Sequence, residues 1–303
     1  MRVALTGASG FIGSYTAKRL ASLGHDVIAL VRDTSRRDHI KPFVTDFVEG
    51  DLSDSDAMSR LCDGAEAVIH NGVDWHAIRK SSPAGHFRQN VLATLDLLEA
   101  ARRADVGQFL FVSSAAVNHE IVTTPTIDET HPTWPANLYG AYKAAIEPHL
   151  KAYHVTYGMN TSAWRPAAVY GVDPQLKRSQ WFKSIRAAKL GERVDADGGG
   201  KITHVQDVAD ALGYAVGDGQ VAGEVFNLIE QYLYWCVPPM MAAEISGSGA
   251  TVEDHRGDGP TNRYDTDKAV AFFDRHGVSE GLRRGEAGVR GYVEELVQAI
   301  PAE

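Results

Sequence analysis

The stretch "TGASGFIG", residues 6–13, decides which fold the rest of the chain predicts. It follows an apolar, β-branched run and begins a segment whose apolar residues recur at helical spacing. In such a strand–turn–helix unit, the first glycine makes a tight turn, the second lets backbone amides approach a pyrophosphate, and the third lets the helix pack on the strand. Gly7, Gly10 and Gly13 stand at these positions, so the stretch predicts a dinucleotide-binding site. A glycine-rich turn without a ligand is the alternative, and the strand–turn–helix context argues against it.

Short apolar runs alternate with helical segments along the first half of the chain. The pattern predicts strands at 2–7, 26–31, 43–50, 65–70 and 107–114. It predicts helices at 11–24 and 90–104. Near-continuous apolar strands that alternate with helices are typical of a parallel sheet covered on both faces. The predicted fold class is therefore α/β, a doubly wound parallel sheet of the Rossmann type.

The residue pattern changes after about Val169, where loop-like stretches such as "DADGGG" (195–200) become frequent. Further helices are predicted at 205–216, 265–275 and 285–299, and a further strand at 224–228. We predict a dinucleotide-binding domain at 1–171, to which 201–228 returns. The remainder, 172–303, is predicted to form a smaller, partly interleaved C-terminal substrate-binding region.

The composition disfavours several classes of protein. The net charge of −9 argues against nucleic acid and anionic membranes as partners. Cys62 and Cys236 lie far apart, which favours cytosolic thiols over a disulfide framework. The chain begins as a strand rather than as a signal peptide, and no apolar run reaches the ~18 residues of a membrane span, so a soluble, cytoplasmic protein is expected. The histidines form no ligand pair on a helix, so no metal is expected.

The end of the second predicted strand bears on the choice of cofactor. An NAD site usually holds the ribose 2′-hydroxyl with a carboxylate at this strand's tip. Here the tip is Val31-Arg32, Asp33 follows, and Arg36 and Arg37 lie just beyond. A guanidinium can bind a 2′-phosphate through two contacts, so Arg32 favours NADP over NAD. NAD stays open because Asp33 can turn inward, and the arginines can also form a solvated loop face.

The stretch "LYGAYKAA", residues 138–145, places a phenol one helical turn before an ammonium. Tyr139 and Lys143 are four residues apart and share a helix face, with Asn137 as the predicted N-cap. Tyr142 and Lys143 are neighbours that point about 100° apart, so only Tyr139 can share a site with the lysine. A nearby ammonium is expected to lower the pKa of the phenol from about 10, which suits it to proton transfer.

A hydroxyl group is predicted beside this pair. The stretch "FLFVSSAAV" (109–117) ends a predicted strand with Ser113 and Ser114. Ligands of such sheets bind at the carboxyl ends of strands, and Ser114 lies 25 residues before Tyr139, enough for the chain to return to the next helix. Ser114 is therefore the candidate for holding a substrate oxygen beside the phenol.

Together these blocks resemble the extended short-chain dehydrogenase/reductase group, also called the NAD-dependent epimerase/dehydratase family. The matching blocks, in order, are "TGASGFIG", "GDLSD", "VIHNG", "NVLATLDLLEAAR", "FVSSAAV", "YGAYK", "WRPAAVYG" and "HVQDVADA". They cover roughly residues 1–230. The resemblance implies Tyr139 as the catalytic acid/base, Lys143 as its partner and Ser114 as the hydroxyl that orients the substrate.

The resemblance also implies a set of cofactor-binding residues. Those at the pyrophosphate are Gly7, Gly10, Phe11, Ile12 and Gly13. Those at the adenine are Asp51 and Leu52, and those along the cofactor are Asn71, Gly72 and, at the start of the long helix, Asn90. Those near the nicotinamide are Pro166, Ala167 and Val169, with Tyr139 and Lys143 beside them.

Departures from the family pattern bear on the substrate. Ala115 and Ala116 stand where sugar-nucleotide 4,6-dehydratases carry an Asp-Glu pair, which argues against dehydration. The C-terminal part lacks the arginine pattern expected for a nucleotide diphosphate, although Arg263 is a candidate. Other candidate substrate contacts, each with a plain surface or loop position as the alternative, are Trp75, His76 and His119.

These observations predict a nicotinamide-dependent oxidoreductase that transfers hydride to or from a carbinol or carbonyl carbon at a Ser-Tyr-Lys site. A sugar-nucleotide epimerase with tightly bound NAD would use the same residues and stays open. A non-catalytic NADP-binding redox sensor is the third hypothesis, and it would have no need of Ser114, Tyr139 and Lys143.

Two predicted helices, 84–104 and 137–157, carry more apolar positions than one stripe facing the sheet requires. Pairing with their copies in a second subunit would bury the surplus as a two-fold four-helix contact. The family resemblance implies the same, so a homodimer is predicted. Coverage of these helices by the C-terminal region of the same chain is the alternative.

Overall fold

The structure is a computed structural model that describes residues 1–119 and 126–301. Its strands are β1 (Arg2–Thr6), β2 (Asp26–Val31), β3 (Asp46–Glu49), β4 (Ala67–His70), β5 (Gln108–Val112), β6 (Thr126–Ile127), β7 (Asn160–Pro166), β8 (Ala168–Tyr170), β9 (Gly199–His204), β10 (Val225–Leu228), β11 (Gln231–Tyr234) and β12 (Arg263–Tyr264). Its helices are α1 (Phe11–Ser22), α2 (Ser55–Cys62), α3 (Trp75–Lys80), α4 (Pro83–His86), α5 (Ala93–Arg103), α6 (Leu138–Tyr157), α7 (Phe182–Lys189), α8 (Val205–Ala215), α9 (Val237–Ser246), α10 (Asp267–Arg275) and α11 (Gly285–Ala299).

The large sheet of the described residues is parallel throughout, in the order β10-β7-β5-β4-β1-β2-β3. The chain moves outward from β1 through β2 to β3, then crosses to β4 and continues to the other edge. The order therefore reverses between β1 and β4, and ligands of open α/β sheets bind at such a switch point. The predicted doubly wound α/β fold is confirmed.

Helices cover both faces of this sheet, and the alternation along β1 shows how. Val3 and Leu5 point into a core formed with α1, α8 and α10. Ala4, between them, points into a core formed with α2, α5 and α6. Because successive side chains of a strand point to opposite faces, a strand buried on both sides reads as an unbroken apolar run. This is the pattern that predicted the parallel sheet.

A second, smaller sheet joins β8, β9 and β11, with β8 parallel and β11 antiparallel to β9. Helices α7, α9 and α11 surround its core, which includes Tyr170, Ile185 and Val293. After β9, the chain returns to the large sheet as α8 and β10. Helix α10 also packs there, through Phe272 and Phe273. The domain division at residue 171, with the return at 201–228, stays a prediction.

Some elements differ from the predicted ones. The long helix predicted at 90–104 contains a π-helical turn, Phe87–Leu92, and α5 begins only at Ala93. Such turns are frequent at functional sites. The loop predicted at 195–200 already enters β9 at Gly199. Helix α9, which begins with "VPP", was not predicted. Prolines are tolerated in the first turn of a helix because the N–H groups that they lack would have no partner within the helix.

Two findings concern what the described residues lack. Within 1–119 and 126–301, no helix combines the length and apolarity that crossing a membrane requires. In the same parts of the chain, no group of three or more His, Cys, Asp or Glu side chains is placed to hold a metal ion.

Candidate active site

The glycine turn lies at the switch point and has no room for larger residues. Gly7 has a φ of +70°, and a Cβ on it would lie 3.0 Å from the carbonyl group of Asn71. A Cβ on Gly13 would lie 2.0 Å from the carbonyl oxygen of Gly7, so only glycine lets α1 approach the turn this closely. Gly10 is the N-cap of α1, and no side chain caps the helix. The amides of Phe11 and Ile12 therefore stand at an uncapped helix N-terminus, the setting in which backbone amides bind phosphate.

A buried network holds the neighbouring turn after β4. Thr6 Oγ1 accepts the backbone N–H groups of Asn71 at 3.2 Å and Gly72 at 2.9 Å. Its own hydrogen is then donated to Nδ1 of His70, at 2.7 Å. His70 Nε2 consequently carries the ring proton and donates to Thr94 Oγ1 at 2.8 Å. Burial lowers the pKa of His70 to about 3, so the ring stays neutral, and buried side chains fix the turn after β4.

Asn90 holds the loop that follows Gly72. Its Oδ1 accepts the N–H of Asp74 at 2.8 Å, and its Nδ2 donates to the carbonyl of Asp74 at 3.1 Å. Nδ2 also lies 3.0 Å from Nδ1 of His86. The carboxamide of Asn90 is thus used within the protein, and its π-helical position aims it at this loop.

The tip of β2 carries exposed charges. Arg32 is exposed, and its backbone N–H donates to Ser35 Oγ at 3.1 Å. Asp33 accepts the N–H of Thr34 at 2.7 Å. Arg37 pairs with Glu49 at 2.7 Å. In the described residues, Arg32 forms no salt bridge, so its guanidinium is uncommitted at the position where a 2′-substituent is recognised in this fold.

Asp51 and Leu52 follow β3 at the same edge of the sheet. Asp51 Oδ1 accepts the N–H and the hydroxyl of Ser53, at 3.2 and 3.3 Å, and so shapes its own turn. Leu52 packs against Gly72, where a Cβ would lie 3.1 Å from Leu52 Cδ1. The structure therefore brings Leu52 to the switch point, next to the turn after β4.

The start of α6 brings Tyr139 to the end of β5. Asn137 Oδ1 accepts the N–H of Gly140 at 2.8 Å, the predicted N-cap. A Cβ on Gly140 would lie 2.3 Å from the carbonyl oxygen of Ala116, so the glycine allows the helix to pack on the turn after the strand. In this position the hydroxyl group of Tyr139 lies near that of Ser114. Burial raises the pKa of Tyr139, and the nearby Ser114 side chain acts in the opposite direction.

Lys143 lies deeper than the sequence suggested. It is 1% exposed, and its Nζ donates to the carbonyl oxygen of Val112 at 2.6 Å. The same Nζ lies 5.8 Å from the centre of the Tyr139 ring and 4.4 Å from that of Phe111. Burial lowers the pKa of Lys143 to about 7, against the charge of Glu147. The expected lowering of the Tyr139 pKa is therefore wrong for this arrangement, because the ammonium bonds to the strand and burial decides the phenol's titration.

Tyr142 turns away from the site. Its hydroxyl lies 2.9 Å from Thr94 Oγ1 and 3.4 Å from Nε2 of His70, and the residue is 1% exposed. The ring packs in the core beneath the sheet. Of the two phenols, Tyr139 lies near Ser114. The prediction that only Tyr139 can share a site with the lysine is wrong, because Lys143 Nζ lies 4.7 Å from the centre of the Tyr142 ring and 5.8 Å from that of Tyr139.

A buried ion pair that the sequence analysis missed lies one turn beyond Lys143. Glu147 accepts from Arg165 through both oxygens, at 2.9 Å from Nε and 2.6 Å from Nη2. Ser113 Oγ donates to the same carboxylate at 2.6 Å. The only sequence signal was a glutamate four residues after Lys143 in an apolar stretch of helix.

The substrate candidates of the first half lie in different surroundings. Trp75 stacks on Tyr139, with ring centres 4.8 Å apart and an interplanar angle of 27°, and remains 46% exposed. It therefore forms an open aromatic surface beside the phenol. His76 is exposed on α3, and no contact places it beside Ser114 or Tyr139.

A pocket of about 530 Å³ opens beside Ser114. His119 and Ala167 line it, and the N–H of Ala167 donates to Thr203 Oγ1 at 3.0 Å. Pro166 ends β7 just before Ala167, whereas Val169 packs toward the core of the large sheet. Arg263 is exposed on β12, where its Nε donates to Thr126 Oγ1 at 3.3 Å, and it is not among the pocket's lining residues.

Comparisons with known proteins agree with this geometry. A model of the NAD dependent epimerase/dehydratase family matches residues 3–228. The chain is 31% identical over 243 residues to the UDP-glucose 4-epimerase of Mycolicibacterium smegmatis, which covers 75% of this chain and 77% of that protein. It is 31% identical over 181 residues to GDP-mannose 3,5-epimerase 1 of Oryza sativa, covering 56% of this chain and 47% of that protein. The match to a curated relative from Methanocaldococcus jannaschii spans 62% of that relative's length.

Among solved structures, the chain resembles the crystal structure of the UDP-glucose 4-epimerase of Thermus thermophilus in complex with NAD. The sequence identity is 25% and the TM-score is 0.79. The alignment covers 99% of this chain and 100% of that one, so the likeness includes the C-terminal region that the family model leaves unmatched.

Proposed function

The chain belongs to the NAD-dependent epimerase/dehydratase family, and we propose that it moves hydride to or from a carbinol or carbonyl carbon with a nicotinamide cofactor. The observation that carries the proposal is that α6, capped by Asn137 and packed through Gly140 on the turn after β5, places Tyr139 near Ser114. Two neighbouring hydroxyl groups at that edge can hold one substrate oxygen and exchange a proton with it.

The turn at the switch point fits a dinucleotide. At Gly7 and Gly13 a Cβ would collide with neighbouring backbone atoms, so only glycine fits at these positions. The turn is therefore compact enough for its backbone to approach a bound dinucleotide. The uncapped N-terminus of α1 supplies amides and partial positive charge for the pyrophosphate. We propose that Leu52, Asn71 and Gly72 lie along the cofactor, which when bound accepts or supplies the hydride.

Tyr139 is proposed as the group that moves the proton. Burial keeps its phenol neutral, the form that donates to the oxygen of a carbonyl as hydride arrives at the carbon. In the reverse direction the phenolate accepts the proton of the substrate hydroxyl. Ser114 is proposed to hold that oxygen. Lys143 is proposed to donate to the ribose hydroxyls of the cofactor in place of the carbonyl of Val112.

A sugar-nucleotide epimerase is the second candidate, favoured by the 31% identity to the UDP-glucose 4-epimerase of Mycolicibacterium smegmatis over 75% of this chain. Such an enzyme would use the same three residues, but hydride would return to the substrate in each turnover. Net oxidation of the cofactor then separates the two candidates.

One experiment tests both candidates. Purified protein is incubated with NADPH or NADH and a panel of carbonyl compounds, and separately with UDP-glucose, while the absorbance of the reduced nicotinamide is followed. Stoichiometric loss of absorbance supports the reductase. Conversion of UDP-glucose to its 4-epimer without net absorbance change, with dinucleotide released only on denaturation, supports the epimerase. If the protein shows neither activity with any combination of cofactor and substrate, the proposal is contradicted.

We propose NADP as the preferred cofactor because Arg32 follows the last residue of β2 and forms no salt bridge in the described residues. We expect the unmodified protein to bind NADPH more tightly than NADH. Arg32→Ala should narrow the difference by ~1–3 kcal/mol, the scale of a charge-assisted contact. Titration of each dinucleotide by nicotinamide fluorescence measures it.

Asp33→Asn is the matched control for this prediction. If Asp33 held a ribose 2′-hydroxyl, this variant would weaken NADH binding. On our proposal it leaves NADH unchanged and affects NADPH slightly, since one negative charge is removed from the surroundings of the phosphate. Tighter binding of NADH by the unmodified protein would refute the preference.

We also propose a homodimer through the segments 84–104 and 137–157. Both carry exposed apolar side chains, among them Phe87 at 52% and Val155 at 72% exposure. Light scattering at micromolar protein should give about twice the 32.9 kDa of one chain. Phe87→Asp and Val155→Asp should lower the mass toward one chain. Lys18→Asp, on the helix layer of the other sheet face, should not. A mass of one chain for the unmodified protein would contradict the dimer.

A cytoplasmic location is proposed as well. Cys62 and Cys236 are buried and unpaired. Free thiols of this kind are typical of proteins from reducing compartments.

A further inference from the structure

The pocket beside Ser114 is polar and aromatic, and its described walls contain no carboxylate. Its lining residues are Ser114, Ala115, Ala116, Asn118, His119, Ile127, Ala167, Ala168, Gly199, Gly200, Lys201, Tyr232, Asn262 and Tyr264. Among them, Lys201 is the sole lysine or arginine. The chain as a whole has a net charge of −9, whereas the described walls of this pocket carry one cation and no carboxylate.

The fold builds this arrangement from the small sheet. Lys201 on β9 lies directly opposite Tyr232 on β11 in antiparallel register, so both side chains share one face. Gly199 belongs to the same face, two residues earlier. A Cβ on Gly199 would lie 2.2 Å from the Tyr232 hydroxyl oxygen, so the glycine gives the phenol room to lie across the strand. Tyr232 and Lys201 therefore reach the pocket together.

Neutral groups hold the ammonium of Lys201. Its Nζ donates to Oδ1 of Asn262 and lies 5.4 Å from the ring centre of Tyr264. It forms no salt bridge with any carboxylate in residues 1–119 and 126–301. Burial lowers the pKa of Lys201, the direction expected for an ammonium that no nearby acid compensates. A desolvated cation in this state binds an incoming anion more strongly than a solvated surface lysine would.

We propose that Lys201 binds an anionic group of the substrate, a carboxylate or a single phosphate, at the end of the molecule remote from the reacting carbon. The inference rests on the proposed function, because it takes Ser114 as the point where the reacting oxygen is held. One ammonium matches one anionic group. Tyr232 and Tyr264 flank the bound group, and the amide nitrogen of Asn262 is a second donor of the same subsite.

The test compares three related probes on the protein with NADP present: glucose, glucuronate and glucose 1-phosphate. Calorimetric titration should show one or both anionic probes binding about 10- to 100-fold more tightly than glucose. Lys201→Met should abolish that advantage, Lys201→Arg should keep most of it, and Lys18→Met should change nothing. Which anion binds identifies carboxylate or phosphate. If Lys201→Met does not fold, Lys201→Gln replaces it.

Equal affinity for all three probes, or an advantage that survives in Lys201→Met and Lys201→Gln, would overturn the inference. A further readout separates it from the proposed function. Tyr139→Phe should lose hydride transfer and still bind the anionic probe as the unmodified protein does. If hydride transfer fails in every assay while the anion advantage depends on Lys201, the subsite stands and the proposed reaction falls.

Discussion

Tyr139→Phe is expected to lower turnover by at least ~10²-fold, the low end of the contribution of a positioned acid or base. The change removes the hydroxyl that lies near Ser114 and keeps the ring that stacks on Trp75. Affinity for the cofactor should stay nearly unchanged, because the phenol makes no part of the glycine turn. Single-turnover absorbance of the nicotinamide measures the hydride step, and fluorescence titration measures binding.

Tyr142→Phe is the control because it removes the same hydroxyl from the same helix, three residues further on. That hydroxyl bonds to Thr94 in the core. Its loss should cost ~1 kcal/mol of stability, the size of one ordinary hydrogen bond, and leave turnover within about twofold. Equal losses of turnover in both variants would show that the helical-face argument is mistaken.

The sequence could predict whatever depends on local spacing. Three glycines at fixed intervals after an apolar run require a strand–turn–helix unit, and the structure has it at Gly7, Gly10 and Gly13. The i, i+4 spacing of Tyr139 and Lys143 fixes a shared helix face, whatever the rest of the fold does. Both predictions concern residues that are close together in the sequence, so local geometry alone determines them.

What the sequence could not predict depends on groups brought together from distant positions. The direction of the Lys143 ammonium is set by the carbonyl of Val112, 31 residues earlier. For that reason the expected effect on the phenol's pKa was wrong, and the ammonium lies nearer to the ring of Tyr142 than to that of Tyr139. Burial, which raises the pKa of Tyr139, likewise comes from the packing of α6 on the turn after β5, through Gly140.

The pocket beside Ser114 also depends on contacts between distant segments, which the sequence could not predict. "DADGGGK" resembles a loop because glycines have low strand propensity. In the structure, Gly199 and Gly200 begin β9, which pairs with β11, and aromatic rings lie over both glycines: a Cβ on Gly200 would lie 2.6 Å from the ring of Trp235. The register that sets Lys201 opposite Tyr232 follows from the pairing of β9 with β11, which no local pattern specifies.

The buried pair of Glu147 and Arg165 leads to the second large prediction. Glu147→Gln should lower the free energy of unfolding by ~3–5 kcal/mol, because the guanidinium would remain buried with its counter-charge removed. Arg165 is 2% exposed, and its Nη1 already lacks a partner in the described structure, so little solvent reaches it as a substitute for the carboxylate. Urea denaturation, followed by circular dichroism, measures the change.

Two further variants show whether buried charge is the cause. Glu244→Gln removes a bidentate pair with Arg290 that joins α9 and α11 at the surface, with contacts of 3.4 and 2.9 Å, and should shift the denaturation midpoint far less. The double change Glu147→Leu with Arg165→Met replaces both charges by apolar groups of similar length and should recover much of the stability lost by Glu147→Gln, since no buried charge is left without a partner. If the double variant is no more stable than Glu147→Gln, the loss of stability comes from the hydrogen bond of Ser113 and from side-chain shape rather than from buried charge. If Glu147→Gln costs as little stability as Glu244→Gln, water reaches the guanidinium of Arg165.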